Sequence, residues 1–215
     1  MKTKLMAVVD FETTGLSPGD GARAIEIAAV LVSGDRVVDR FASLMNPGVS
    51  VPHEITQLTG ITTKMVRSAP AAAAVMQEVT RFIGDAGLVA HNASFDRRFL
   101  AAEQRRIGVS RPLDFVCTML LSRRVFDGAP NHKLGTLVRH LGLASDGSLH
   151  RALADATVTA ELLLRIQMEI SVRYGLSLPH ETLVMLQQTP RKSLEKTMAV
   201  LEKVGQRSGG IPHRT

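Results

Sequence analysis

The hydrophobic pattern changes character along the chain. Three apolar stretches come first. LMAVVDFE at 5–12 is a continuous apolar run ending in acids, AIEIAAVLV at 24–32 is apolar except for the embedded Glu26, and RVVDRFASLM at 36–45 alternates on both sides of Asp39. Short apolar runs and period-two alternation are strand signals. Ser33-Gly34-Asp35 is a short, glycine-centred link that predicts a hairpin, so the first three strands are expected to form an antiparallel meander.

The spacing then becomes helical. Pro52 to Gly60 reads as loop with a single helical turn. Ala71 to Ile83 is helical and closes at Gly84, GLVAHN at 87–92 is a short buried strand, and Ser94 to Ile107 is helical with Ser94 as its expected N-cap. PLDFVCTMLL predicts a strand running into a helix, and Lys133 to Leu141 a helix stopped by Gly142. Residues 151–173 carry the longest helical pattern, with an apolar stripe through Leu153, Ala156, Ala160, Leu163, Leu164 and Ile170. The order predicts an α/β protein with a mixed sheet covered by helices. Residues 1–173 read as one domain and 174–215 as a basic helical extension. The extension holds helical stretches at Pro179–Gln188 and Ser193–Val204, Ser193 capping the second, and ends in ten residues that look frayed.

Composition narrows the partners. Aromatics are 4% of the 215 residues and Trp is absent, which argues against an aromatic stacking platform for single strands. The single cysteine, Cys117, excludes an internal disulfide and a thiolate-rich zinc site, and fits a small buried residue in a reducing, cytoplasmic compartment. No run is long enough to span a membrane, and MKTKLMAVVDFE reads as a strand, not a leader peptide. Net charge is +6; residues 1–170 carry 19 basic and 17 acidic side chains, whereas 171–215 carry seven and three, so the cationic excess sits in the tail.

Three segments carry candidate chemistry. Strand geometry puts Asp10 and Glu12 on one face and Phe11 on the other. Two adjacent carboxylates in an apolar strand repel and are costly to bury, and a divalent cation such as Mg²⁺ removes both costs. Thr13-Thr14-Gly15-Leu16 turns the chain sharply beyond them, offering N–H groups and hydroxyls to a phosphate or a sugar hydroxyl. In His91-Asn92-Ala93-Ser94-Phe95-Asp96, Asp96 falls in the first turn of a helix, where a carboxylate is favoured by the dipole. In His150-Arg151-Ala152-Leu153-Ala154-Asp155, a separation of five makes sense if His150 lies in the lead-in loop and Asp155 in the helix, with His150 able to take a proton from water.

In this order the segments VVDFETTGL, HNASFDRRFL and HRALADA resemble the three exonuclease motifs of the DEDD superfamily in its histidine-containing, DnaQ-like (DEDDh) branch. PHEITQLTGIT at 52–62 resembles its connecting loop. The resemblance runs from about Leu5 to Met168, lacks no expected catalytic residue, and implies an RNase H-like fold with a five-stranded mixed sheet. It implies that Asp10, Glu12 and Asp155 ligate a pair of Mg²⁺ or Mn²⁺ ions, with Asp10 bridging and Asp96 holding the second ion directly or through water. His150 would be the general base. It further implies 3′ to 5′ release of nucleoside 5′-monophosphates, with Thr13, Thr14, Leu16, Asn92 and Phe95 around the terminal nucleotide. Leu58 reads equally as an apolar wedge and as a core leucine.

The proofreading branch, the epsilon subunits of bacterial DNA polymerase III, is the leading comparison. Thr13 stands where oligoribonucleases usually have Met, which leans towards DNA. A DNA 3′ end, single-stranded or frayed, is the expected partner, with RNA and a DNA polymerase subunit left open. An RNA-trimming exonuclease and a non-catalytic binding module are the competing readings, and the intact acid set argues against the second. Residues 176–204 are left between helices packed back on the domain, a dimer contact and a polymerase-docking segment. Gln187-Gln188-Thr189-Pro190 resembles a clamp-binding peptide only faintly.

Overall fold

The computed structural model describes residues 4–110, 113–144 and 150–208, with side chains as far as residue 204. The meander forms as expected: β1 (Met6–Thr13), β2 (Ala24–Ser33) and β3 (Arg36–Leu44) pair antiparallel. The chain then passes through α1 (His53–Thr59), α2 (Thr63–Arg67) and α3 (Ala72–Ile83) to β4 (Gly87–Ala90), which pairs parallel with β1. After α4 (Ser94–Arg106), β5 (Phe115–Cys117) pairs parallel with β4, giving a five-stranded mixed sheet in the order β3-β2-β1-β4-β5. Then follow α5 (Thr118–Val125), α6 (Leu134–Leu141), α7 (Ala152–Tyr174), α8 (His180–Leu186) and α9 (Leu194–Ser208).

The period of two divides the central strand between two cores. Met6 and Val8 of β1, with Ala28, Val30 and Val32 of β2, pack against α5, α7 and the C-terminal helices. Ala7, Val9 and Phe11, with Ile27, Ala29 and Leu31, face α3 and α4. Burial on both faces explains why β1 and β2 read as continuous apolar runs. It also decides the geometry of the site, because Asp10 and Glu12 share the even-numbered face and therefore look towards α7.

Several expectations are corrected. The loop with a single turn expected over 52–60 is the helix α1, and a second helix, α2, follows it, both too short to show a period. They are held by a third cluster of Ile25, Val51, Ile61 and Val66, and by the Thr62 hydroxyl accepting the Met65 N–H. The strand expected over 87–92 stops at Ala90, because Asn92 takes a left-handed φ of 61° and turns the chain into α4. Ser94 is not the N-cap. Ala93 already has helical angles, its carbonyl accepts the Arg97 N–H, and Ser94 lies inside the first turn. Ser193 ends a 3₁₀ turn (Arg191–Ser193) leading into α9. Of the ten terminal residues expected to fray, 206–208 continue α9 and the rest lie outside the described residues.

The segment after α7 packs back on the sheet. Leu178, Leu183, Leu186, Leu194 and Met198 join the same core as α7. Gln187 is buried: its side-chain amide donates to the Phe115 carbonyl at 2.8 Å, and its oxygen accepts the Cys117 N–H at 2.6 Å. One side chain thus continues the hydrogen-bond ladder beyond the three-residue edge strand β5. A clamp-binding peptide needs these residues free, so that faint likeness is not supported. His180 lies across β4, its Nε2 bonded to the Leu88 carbonyl, in space that a side chain at Gly87 would fill.

Gln187→Ala leaves two buried backbone groups of β5 unpaired, each costing roughly 1–3 kcal/mol. Urea unfolding of this variant is expected to show a loss of about 3 kcal/mol.

Candidate metal centre and active site

Three elements converge beyond the carboxyl ends of β1 and β4. From the end of β1 come Asp10 and Glu12, and from the first turn of α7 comes Asp155. One carboxylate oxygen from each lies within 4.8 Å of the others. Asp155 Oδ2 accepts the backbone N–H of His150 at 3.1 Å, while its Oδ1 is buried with no partner. Asp96 arrives from the other face. It is buried in the first turn of α4, and its Oδ1 accepts the Phe11 N–H at 3.2 Å, through the gap between Asp10 and Glu12 along the strand. It stands beside the tight three-carboxylate set without belonging to it.

Burial and crowding act together on these acids. Asp10 is held well above the ordinary carboxylate range, chiefly by burial and then by the charges of Asp96, Asp155, Glu12 and Glu26. Glu12 is pushed up to about 7 by burial and by Asp155 and Glu26, with Arg151 pulling the other way. Asp96 is raised to about 8 by burial, against the opposing pull of the N–H groups it accepts. Asp155 is raised by burial, and the His150 N–H restrains the rise. A hard, oxygen-rich donor set with an orphaned buried oxygen and repelling charges fits a divalent cation.

His150 lies in the lead-in to α7, exposed, with a left-handed φ of 72°. The residues just before it, 145–149, are outside the described set. Leu16 is 82% exposed and Leu58 is 53% exposed, so Leu58 is no core leucine. Phe95 is half-buried against Phe99, ring centroids 4.8 Å apart. The Thr13 and Thr14 hydroxyls are engaged within the turn: Thr13 Oγ1 donates to the Gly15 carbonyl, and Thr14 Oγ1 accepts the Arg23 N–H and keeps its own proton to donate. Both serve to shape the turn after β1.

Sequence reasoning missed the residues that brace the site. Glu26 pairs across the sheet with Glu12 and therefore also faces α7. Its carboxylate accepts from Arg151 Nη2 at 2.7 Å, Arg151 Nε at 3.2 Å and the Ala152 N–H at 3.0 Å, which caps the N-terminus of α7. Arg151 lies between His150 and the helix that carries Asp155, so this pair sets where both point. The one signal was an acid inside AIEIAAVLV, since buried acids are paired. His91 is a second brace. Its Nε2 lies 3.0 Å from the His132 carbonyl and its Nδ1 2.9 Å from Thr118 Oγ1, and burial lowers its pKa to about 4. The neutral ring therefore donates from Nε2 and accepts at Nδ1, tying the end of β4 to α5. Arg23 and Glu103 form a further buried bidentate pair behind the turn.

Carboxyls whose pKa is raised by folding bind protons in the native state that the unfolded chain has lost, so stability falls as pH rises between the two values. For Glu12 that window runs from about 4.5 to about 7, and for Asp96 from about 3.8 to about 8. With chelator present, the melting temperature is expected to fall from pH 5 to pH 8. Added Mg²⁺ or Mn²⁺ should raise it more at pH 8 than at pH 5, and a thermal melt series at both pH values checks this.

Comparison with known proteins agrees with this geometry. An exonuclease family model of the RNase T type matches residues 7–163. DNA polymerase III subunit epsilon of Aquifex aeolicus is 34% identical over 170 residues, covering 79% of this chain and 83% of that protein. The 3′-5′ exonuclease DinG of Bacillus subtilis is 38% identical over 189 residues, covering 87% of this chain but 20% of its own length. The chain spans about a quarter of the length of several such curated relatives. Among solved structures, Exonuclease X in complex with 5′ overhanging duplex DNA superposes with a TM-score of 0.64 at 27% identity, covering 83% of this chain and 99% of that one. The nuclease domain of 3′hExo, a DEDDh family member bound to rAMP, has the same fold, with a TM-score of 0.66 at 22% identity over 78% of this chain and 93% of that one. The chain belongs to this exonuclease family, in its DEDDh (DnaQ-like) 3′-5′ branch.

Proposed function

We propose that this exonuclease removes nucleotides one at a time from DNA 3′ ends, single-stranded or frayed, in proofreading or repair, releasing nucleoside 5′-monophosphates. The observation that carries the reading is the convergence of Asp10, Glu12 and Asp155, with one buried oxygen unpartnered and His150 beside them. Asp10, Glu12 and Asp155 would hold two divalent cations, Mg²⁺ or Mn²⁺, with Asp96 supporting the second. When bound, such cations supply Lewis-acid stabilisation to the charge that develops on the phosphodiester oxygens.

The chain's own residues do the rest. His150 sits on an exposed loop next to Asp155, where its imidazole takes a proton from the attacking water; the backbone bond to Asp155 fixes its position. Leu16 and Leu58, apolar and exposed, suit the terminal base and sugar, with Asn92, Phe95 and the Thr13-Thr14 backbone lining the cleft. Thr13 in the first motif and the relatives named for DNA polymerase III support DNA over RNA. A DNA polymerase subunit is the partner to seek by co-purification, and the single, buried Cys117 is consistent with work in a reducing cytoplasm. No described helix is long and apolar enough to cross a membrane.

Asp10→Ala is expected to abolish hydrolysis and keep the fold, read as nucleotide release with Mn²⁺ alongside circular dichroism; undiminished release would sink the proposal. Comparing matched DNA and RNA 3′ ends on the wild-type protein decides the substrate, and faster RNA trimming would overturn the DNA assignment. His150→Ala is expected to lower turnover by about 10²–10⁴-fold with little change in the metal concentration needed. An unchanged rate removes His150 from the proton transfer.

A further inference from the structure

The cationic surface of this protein is not confined to the tail. There, Arg173 pairs with Glu169 and Arg191 with Asp127. A second dense positive surface lies on α4. Arg97, Arg98, Arg105 and Arg106 all project from one side of that helix into an open groove of about 1050 Å³. Ala101 and Ala102 form its floor between the two arginine pairs, and the turn at 17–19 forms a wall. Among the described residues no carboxylate lies within ion-pair distance of Arg97, Arg98 or Arg105. Arg106 reaches Glu103 only at 3.6 Å, and Glu103 is already held by Arg23. Asp114 is the single acid among the described residues that line the groove.

Four guanidiniums gathered along one groove with so little compensation make a surface of positive potential that attracts an anion. The anion must be extended. The two arginine pairs are eight residues apart, about 12 Å along the helix axis. Stacked nucleotides rise about 3.4 Å each along a strand, so the groove spans roughly three to four of them. Among the described residues the lining contains no aromatic side chain, so it suits phosphates and not stacked bases. The groove adjoins the site along the chain: Arg97 follows Asp96 directly, and Ser17 follows the exposed Leu16 on the loop after β1.

We infer that this groove is a second phosphate-binding track, which holds the sugar-phosphate backbone of the nucleic acid several nucleotides away from the bond being cut. The inference rests on the nuclease reading above and adds a binding surface outside its catalytic residues. Helix α4 then works on both sides: Asp96, Phe99 and Leu100 are buried inward, while the arginines grip the substrate outward. Recognition there is electrostatic and blind to sequence.

The test compares wild type with Arg98→Gln/Arg105→Gln, both exposed positions whose exchange leaves the core untouched, as a thermal melt verifies. Binding of a 20-nucleotide single strand, and of a duplex with a 5′ overhang, is titrated across a salt series with EDTA present to prevent hydrolysis. The double variant is expected to lose roughly tenfold in affinity, and its log–log salt slope to flatten by about 1.4 to 1.8, two phosphate contacts' worth. Arg98→Lys/Arg105→Lys should recover most of both. Loss on single strands places the cut strand in the groove; loss confined to the duplex places its complement there. Hydrolysis of thymidine 5′-monophosphate p-nitrophenyl ester, which is too short to reach α4, should be unchanged. Equal affinities and slopes for the two proteins overturn the inference, as does an equal loss on the short ester. If neither protein cleaves the ester with Mn²⁺, the nuclease reading fails, and the salt slopes still decide the groove.

Discussion

Like charges gathered in a half-buried space impose the main constraint on this molecule. Two carboxylates about 4 Å apart repel by roughly 4 kcal/mol at the effective dielectric of a protein surface, and here three share such a space with a fourth behind them. Bringing them together requires a rigid frame. The frame is β1, a central strand buried on both faces and paired with β4 as far as Val8 and with β2 through Asp10 and Glu12, which cannot move its acids apart without breaking the β2 ladder. The remaining acids come from helices that pack on opposite faces, Asp155 on α7 and Asp96 on α4. Each is tethered by a backbone N–H, from His150 and Phe11 respectively. These bonds favour the ionised form and partly offset the repulsion, but the pKa of each acid remains raised.

The bracing around the acids follows from the same constraint. A helix that must present Asp155 to repelling partners needs its N-terminus pinned. Glu26 does this, using one carboxylate for the Arg151 guanidinium and the Ala152 N–H together. Glu26 is itself a fourth acid on the α7 face, opposite Glu12, and Arg151 neutralises it and eases Glu12 as well. His91 and the Arg23–Glu103 pair perform comparable work at the end of β4 and behind the turn after β1. The C-terminal helices close the far edge of the sheet, where a glutamine side chain substitutes for a sixth strand.

Much of this was legible in the sequence because it depends on local geometry. A strand's period of two puts Asp10 and Glu12 on one face whatever surrounds them, and the glycines at 84, 142 and 175 stop α3, α6 and α7 where the helical pattern ends. The hairpin at Ser33–Arg36 and the place of His150 ahead of α7 follow from residues next to one another. The three motifs in order also carried the family.

What the tertiary structure alone decided involves partners far apart in the chain, whose pairing leaves no local trace. Glu26 and Arg151 are 125 residues apart, and Gln187 meets β5 across about 70. The short helices α1 and α2 exist because a small cluster buries Ile61 and Val66, not because their sequences repeat. Ser94 loses the capping role to the left-handed turn at Asn92, and Leu58 proves exposed. The charge total placed the cationic excess in the tail, whereas only the fold lines up the four arginines of α4 along one groove, three of them without an ion-pair partner among the described residues. Composition counts charges; only the fold determines which of them remain unpaired.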